Sequence, residues 1–388
     1  MKEKKILWGD VINIVFSILA GAYFSIHILV RWELEYEVLE TMEKYGVVVV
    51  LCLIGFWTSS RIQIILHEFG HFVFGIASGY KFVSFRVGKR MLVKTNGKLQ
   101  LKKIIMPGTD GQCLMEPGGT LNGKIPYVLY NMGGVLCNVI SARIFLYFES
   151  LFSVFYMIKP AIGFVIVKEI LYTSAVMGGI YALLNGIPLR LSLITNDGYN
   201  VISMIKKRKE QEAFWVQLKV NALLAKGYRL KDLPNDWFYI PDDSSFKKRM
   251  SASIGVLACN RLMDSHLFIQ ADQMIEEVLK KDTGIVGLER NNLILDRIYC
   301  QLLQGRSKDV LDECLGKKAG KFMKQNNKNL SLYRTQYAYA LLVNKDTASA
   351  EQIKNRFEKM ANTYPYAGEL QMERELMEIV EKIMHATS

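Results

Sequence analysis

The hydrophobic pattern divides the chain near residue 190. Before that point, apolar runs long enough to cross a bilayer alternate with short polar stretches; beyond it, apolar residues recur at helical spacing among lysines and glutamates. A hydrocarbon core about 30 Å thick takes roughly 20 helical residues. VINIVFSILAGAYFSIHILV at 11–30 meets that length, and further spans are predicted at about 46–77, 126–148 and 168–188. The piece at 150–167, interrupted by Pro160 and next to Lys168-Glu169, reads either as interfacial or as an extension of its neighbours. No small-residue cleavage site is evident near the first run, which therefore reads as a retained span rather than a signal peptide.

Between 79 and 124 the pattern shortens to alternating runs, KFVSFRVG, RMLVK, KLQLKKIIM and GQCLM, separated by turn residues such as Asn96-Gly97 and Pro107-Gly108. These predict strands and hairpins. Past residue 200, segments near 252–281, 290–315 and 331–361 each read as helix, break, helix. Ala271, Val310 and Ala350 recur there at spacings of 39 and 40 residues. That period resembles tetratricopeptide-type arrays of helical hairpins, with a plain helical bundle as the other reading. The expected fold is mainly α: a polytopic membrane helix bundle with a small β-hairpin insertion over 1–200, then a soluble helical hairpin-repeat domain over 201–388.

Charge orients this arrangement. The net charge is +12, and the basic residues gather in MKEKK at the N-terminus, in 79–124 and in KKRK at 206–209, whereas 31–44 carries five glutamates. Lys and Arg mark cytoplasmic loops, so both termini and the strand region are expected inside and 31–44 outside. Four spans satisfy that pattern, and the composition suits a bacterial plasma membrane. Basic runs at membrane exits are topology anchors or contacts for anionic lipid, so nucleic acid is not an expected partner. The six cysteines form no C-x-x-C pair, which argues against a cysteine zinc site or a disulfide framework.

The chemistry enters at LHEFGHF, residues 66–72, inside the second predicted span. On a helix His67 and His71 share a face and can offer two imidazoles to one zinc ion, with Glu68 beside them as general base. Ionisable groups at membrane depth cost ~2.5 kcal/mol or more. Three clustered there point to a functional site. A catalytic zinc needs a third protein ligand, and His27, His266 and His385 lie in no partner motif. The segment 182–200 offers Asn185, Pro188, Asp197 and Gly198, and Glu169 is a further carboxylate.

H-E-x-x-H in one membrane helix with N-x-x-P and then D-G at the end of a later one resembles the site-2 protease family of intramembrane zinc metalloproteases. NMGGVLCN at 131–138 resembles the family's Gly-rich stretch, with Gly134 and Asn138 at matching positions and Val135 where many members have Pro. The resemblance covers roughly residues 46–200. It implies one zinc per chain held by His67, His71 and Asp197, Glu68 as base, and Asn185 near the scissile peptide. Asp197 lies twelve residues past Asn185, about a turn farther than the family usually has it. A continuing helix would move it about 6 Å along the axis, whereas a loop would absorb the extra residues.

Gly134 and Asn138 are candidate substrate contacts, although small residues and Asn also serve helix packing. Gly111, Gln112 and Cys113, on an exposed edge strand, are candidates for pairing with an extended substrate. The expected function is an intramembrane zinc endopeptidase acting on a membrane-spanning or membrane-bound protein or peptide. The C-terminal helices would take a cytoplasmic protein or peptide partner. The alternative is a metal-binding, non-proteolytic membrane scaffold working through those helices.

Overall fold

In the computed structural model, the residues described are scattered positions between 8 and 22, then 42–387 apart from 96, 107–108, 122, 159–161, 192–193 and 307–328. Among the described residues the chain is mainly helical, with one small antiparallel sheet. It separates into two compact units, one built from the apolar segments and one from the sheet and the C-terminal helices.

The apolar unit is formed by α1 (Met42–Ala77), α2 (Tyr127–Ile158), α3 (Ile162–Gly186) and the start of α4 (Asp197–Met204). Among the described residues, Tyr127–Phe155 and Ile166–Gly186 are long and apolar enough to cross a membrane. Much of their apolar surface faces outward, as at Val139, Ile140, Ile144 and Phe155. The predicted stretch 46–77 falls within α1, and most of 11–30 lies outside the described residues. Residues 150–158 and 162–167 extend α2 and α3 as helix. α1 stops where Gly79, at φ +81°, takes the left-handed conformation that caps helices. Its N–H bonds back to the Ile76 carbonyl at 2.9 Å.

In the second unit, β1 (Lys81–Val87), β2 (Arg90–Thr95), β3 (Lys98–Lys103) and β4 (Gly111–Glu116) form an antiparallel sheet in the order β3-β2-β1-β4. Gly97, at φ +77°, turns β2 into β3 at the predicted hairpin. β2 alternates as its sequence predicts: Met91 and Val93 are buried, while Arg90, Leu92 and Lys94 face out. The sequence grouped this sheet with the apolar segments, but its packing is with the C-terminal helices. Glu116 bonds Lys219 on α5 (Arg208–Ala225) at 2.6 Å and Lys226, just past that helix, at 2.5 Å. The Trp215 indole N–H donates to the Gly118 carbonyl.

The longer helices that follow among the described residues are α6 (Arg249–Asp264), α7 (Phe268–Lys280), α8 (Gly287–Leu303), α9 (Leu330–Leu342), α10 (Thr347–Ala361) and α11 (Ala367–Thr387). α6–α7 and α9–α10 are antiparallel hairpins. Ala271 and Ala350 are fully buried at equivalent positions; Val310 lies outside the described residues. A second recurrence sits just past the C-terminal ends of α6, α8 and α9. His266, Gly305 and Lys345 all have positive φ, at +58°, +79° and +55°, with the same spacings of 39 and 40 residues. α6 also packs on α8, α8 on α9 and α9 on α11.

Candidate metal centre

α1 carries Ser59, Gln63, His67 and His71 four residues apart, so they follow one slowly winding face. All four are buried. Helix-period burial of polar groups in an otherwise apolar helix requires partners on the facing elements. α2 and α3 supply them.

Gln63 sets the orientation of the whole chain of bonds. Its Nε2 donates to the Ser174 carbonyl on α3 at 2.7 Å, and a carbonyl can only accept, so Oε1 faces the other way. Oε1 accepts from Asn138 Nδ2 at 2.8 Å and from the Ser141 hydroxyl at 3.1 Å. Asn138 Nδ2 also donates to the Gln63 carbonyl at 3.0 Å. Asn138 Oδ1 is thereby turned to His67 Nδ1, 2.6 Å away, and that nitrogen must carry the proton. His71 reaches the same state independently: its Nδ1 lies 2.8 Å from the Tyr130 carbonyl.

In the neutral imidazoles both Nε2 atoms are then bare lone pairs, and both point at Asp197. The His67 and His71 Nε2 atoms are 3.2 Å apart. Asp197 Oδ2 lies 3.1 Å from the first and 3.4 Å from the second, buried and with no hydrogen-bond donor. Three acceptors face one another at near-equal distances. One proton shared by one pair would leave the other contacts unsatisfied, whereas a cation among the three satisfies all. Zinc bonds of about 2.0–2.1 Å in tetrahedral array separate ligand atoms by roughly 3.3 Å, which matches this triangle. His67, His71 and Asp197 therefore form a group able to hold a metal ion, with each His oriented through its second nitrogen.

Backbone packing makes room for this triangle. A Cβ on Gly134 would fall 2.5 Å from His67 Cε1, and one on Gly70 would fall 2.2 Å from the Gly133 carbonyl oxygen. α1 and α2 meet backbone to backbone beside the site. Glu68 is buried next to the ligands in sequence.

The other predicted residues lie as follows. Asn138, fully buried, uses its amide on His67 and Gln63 and has no face left for a substrate; Gly134 packs against the His67 ring. The Asn185 amide donates to the Tyr181 carbonyl of its own helix at 3.0 Å. Glu169 is buried on α3 and does not belong to the triangle. Gly111, Gln112 and Cys113 lie on β4, the last strand in the sheet order, but this is not an exposed edge. Gly111 and Cys113 are buried, and α5 packs on the strand. The exposed edge is β3, where Leu99 and Leu101 are 59% and 68% exposed. His266 lies in the second unit near Glu375.

Sequence reading missed two residues, Gln63 and Asn196. The signal for Gln63 was present as a polar position one turn before His67. Compared with family models, curated proteins and solved structures, the chain matches none.

Proposed function

We propose that the protein is a multi-pass membrane zinc metalloendopeptidase, similar to site-2 proteases, that cleaves a membrane-spanning or membrane-bound protein or peptide. The observation that carries this reading is the acceptor triangle of His67, His71 and Asp197, each His fixed from behind by Asn138 or Tyr130. The two long apolar helices beside it support a membrane setting, and the charge pattern supports cytoplasmic termini.

Zinc bound there would bring a water to a pKa near 7. The protein's own part is proton transfer: Glu68 takes the water proton and delivers it to the amine nitrogen as the C–N bond breaks and the new C–O bond forms. A buried carboxylate beside the ligands suits that role. A helical substrate has its carbonyls hydrogen-bonded, so it must unwind before hydrolysis. The C-terminal repeats would recruit a cytoplasmic protein or peptide.

The test is elemental analysis of detergent-purified protein, with cleavage followed in its native membrane. About one zinc per chain is expected in the wild type and in Glu68→Gln, with little in His67→Ala and Asp197→Ala. Glu68→Gln should accumulate an intact membrane protein that the wild type converts to fragments. Equal fragmentation by both would overturn the proteolytic reading; a metal-free, folded wild type would overturn the metal centre.

A further inference from the structure

Asp197 opens α4, and the residue before it, Asn196, is 7% exposed. A buried Asn has two donors and two acceptor lone pairs to satisfy, and here all four are used. Nδ2 donates to the carbonyls of Leu184, in the last turn of α3, at 2.7 Å and of Ile187, the residue after it, at 2.5 Å. Oδ1 accepts from the Leu189 N–H at 2.9 Å and from the Tyr199 N–H at 3.0 Å. The last of these caps α4. The other three tie that cap to the last turn of α3 and the three residues that follow it.

The chain between α3 and α4 doubles back as a small loop. Arg190 and Thr195 form an antiparallel bridge, and the Leu191 N–H donates to the Ile194 carbonyl at 3.0 Å. The residues that lengthen the interval from Asn185 to Asp197 are taken up in this loop rather than in helix. Gly198 closes the junction: a Cβ there would fall 2.2 Å from the Gly186 carbonyl oxygen. The first turn of α4 is therefore seated directly on the last turn of α3.

We propose that Asn196 is the positioning residue that returns Asp197 to the metal after this longer connection, fixing the third ligand by joining the α4 cap to the α3 terminus. The inference rests on the metal-centre reading above. A plain N-cap needs only an acceptor, and Ser and Asp cap as well as Asn does. Joining the two helices also needs the two donors of Nδ2, which Asp lacks and which one Ser hydroxyl cannot replace. The two functions are therefore separable by substitution.

The full-length chain would be stripped of metal and titrated with cobalt(II) in detergent, for wild type, Asn196→Asp, Asn196→Ser and Asp197→Ala, with thermal melting of each apoprotein alongside. If Asn196 positions the ligand, the cobalt Kd rises at least about tenfold in both Asn196 variants, the range for residues that orient ligands. The visible cobalt bands of the folded fraction move toward those of Asp197→Ala. Rescue by Asp or Ser, with wild-type Kd and spectrum, would overturn the proposal and leave Asn196 a helix cap. A lower melting temperature with an unchanged spectrum would overturn it as well. Loss of binding in Asp197→Ala with retention in Asn196→Ser separates failure of this inference from failure of the metal centre, which would appear as a wild type that binds no cobalt.

Discussion

Gly134 lies against the imidazole of His67 so closely that a Cβ on it would fall 2.5 Å from Cε1 and 2.6 Å from Nε2. The ring cannot retreat, because its Nδ1 is held by Asn138 at 2.6 Å. Gly134→Ala is therefore expected to push Nε2 off the triangle. Zinc content of the purified variant should fall from about one per chain to a small fraction, while the helix content by circular dichroism stays unchanged. Full zinc occupancy in Gly134→Ala would mean that α2 shifts freely and that the packing does not define the site.

Gln63 lies one helical turn before His67 and makes no contact with the other two ligands, yet it sets which way Asn138 points. Gln63→Leu fills similar volume and removes both polar ends of the side-chain amide. Asn138 Nδ2 then keeps only its bond to the residue 63 backbone carbonyl, so Oδ1 is held on His67 less firmly and the imidazole proton shifts more readily to the metal-facing nitrogen. A ten- to hundredfold loss of zinc affinity is expected, measured by competition with a chromophoric chelator. Gln63→Glu should recover part of it, since a carboxylate oxygen still accepts from Asn138.

Much of this site was legible in the sequence, for a physical reason. His67, Glu68 and His71 are a local pattern, and burial in an apolar helix leaves such residues few roles. Asp197 stood among several candidates in 182–200 and only a resemblance singled it out as the ligand, because its approach depends on how the chain between α3 and α4 folds. Asn196 could not be read at all: its four partners are backbone groups, which the sequence does not distinguish. The sheet was misgrouped for a similar reason. Its strands follow α1 in the chain, but Glu116 finds its lysines about a hundred residues later, and no local pattern announces that pairing.

In the second unit, Arg334 is fully buried between α8 and α11. It donates to Asp296 at 2.7 Å and to Glu373 at 3.3 Å, and its guanidinium lies 4.6 Å over the Tyr299 ring. Removing one member of such a network leaves charges without compensation. Arg334→Met is expected to destabilise the C-terminal helices by about 3–5 kcal/mol, read as a shift in urea midpoint by circular dichroism. The double variant Arg334→Met with Glu373→Gln should recover part of the loss. A single variant within about 0.5 kcal/mol of wild type would show that the carboxylates are protonated without the arginine.

Glu369, half-buried on α11 near Glu373, gives the same unit a pH dependence. Burial pushes its carboxyl up to about 7, with repulsion from Glu373 adding to the rise. The folded state thus holds a proton that the unfolded chain releases near the ordinary glutamate value. Stability from Glu369 is fully present below about pH 4.5 and is lost as pH rises through about 7, amounting to about 3 kcal/mol at the upper limit. Glu375 works in the opposite sense. Its bond to Arg229 holds it down at about 2, so its contribution is present above about pH 4.5 and fades as pH falls toward 2. The C-terminal helices should therefore melt higher near pH 5 than near pH 8. Glu369→Gln keeps the neutral form at every pH, so the drop between pH 5 and 8 should shrink in this variant, with the gain concentrated on the alkaline side. An unchanged drop would assign the pH dependence to the neighbouring Asp296 and Glu373, whose carboxyls burial also raises.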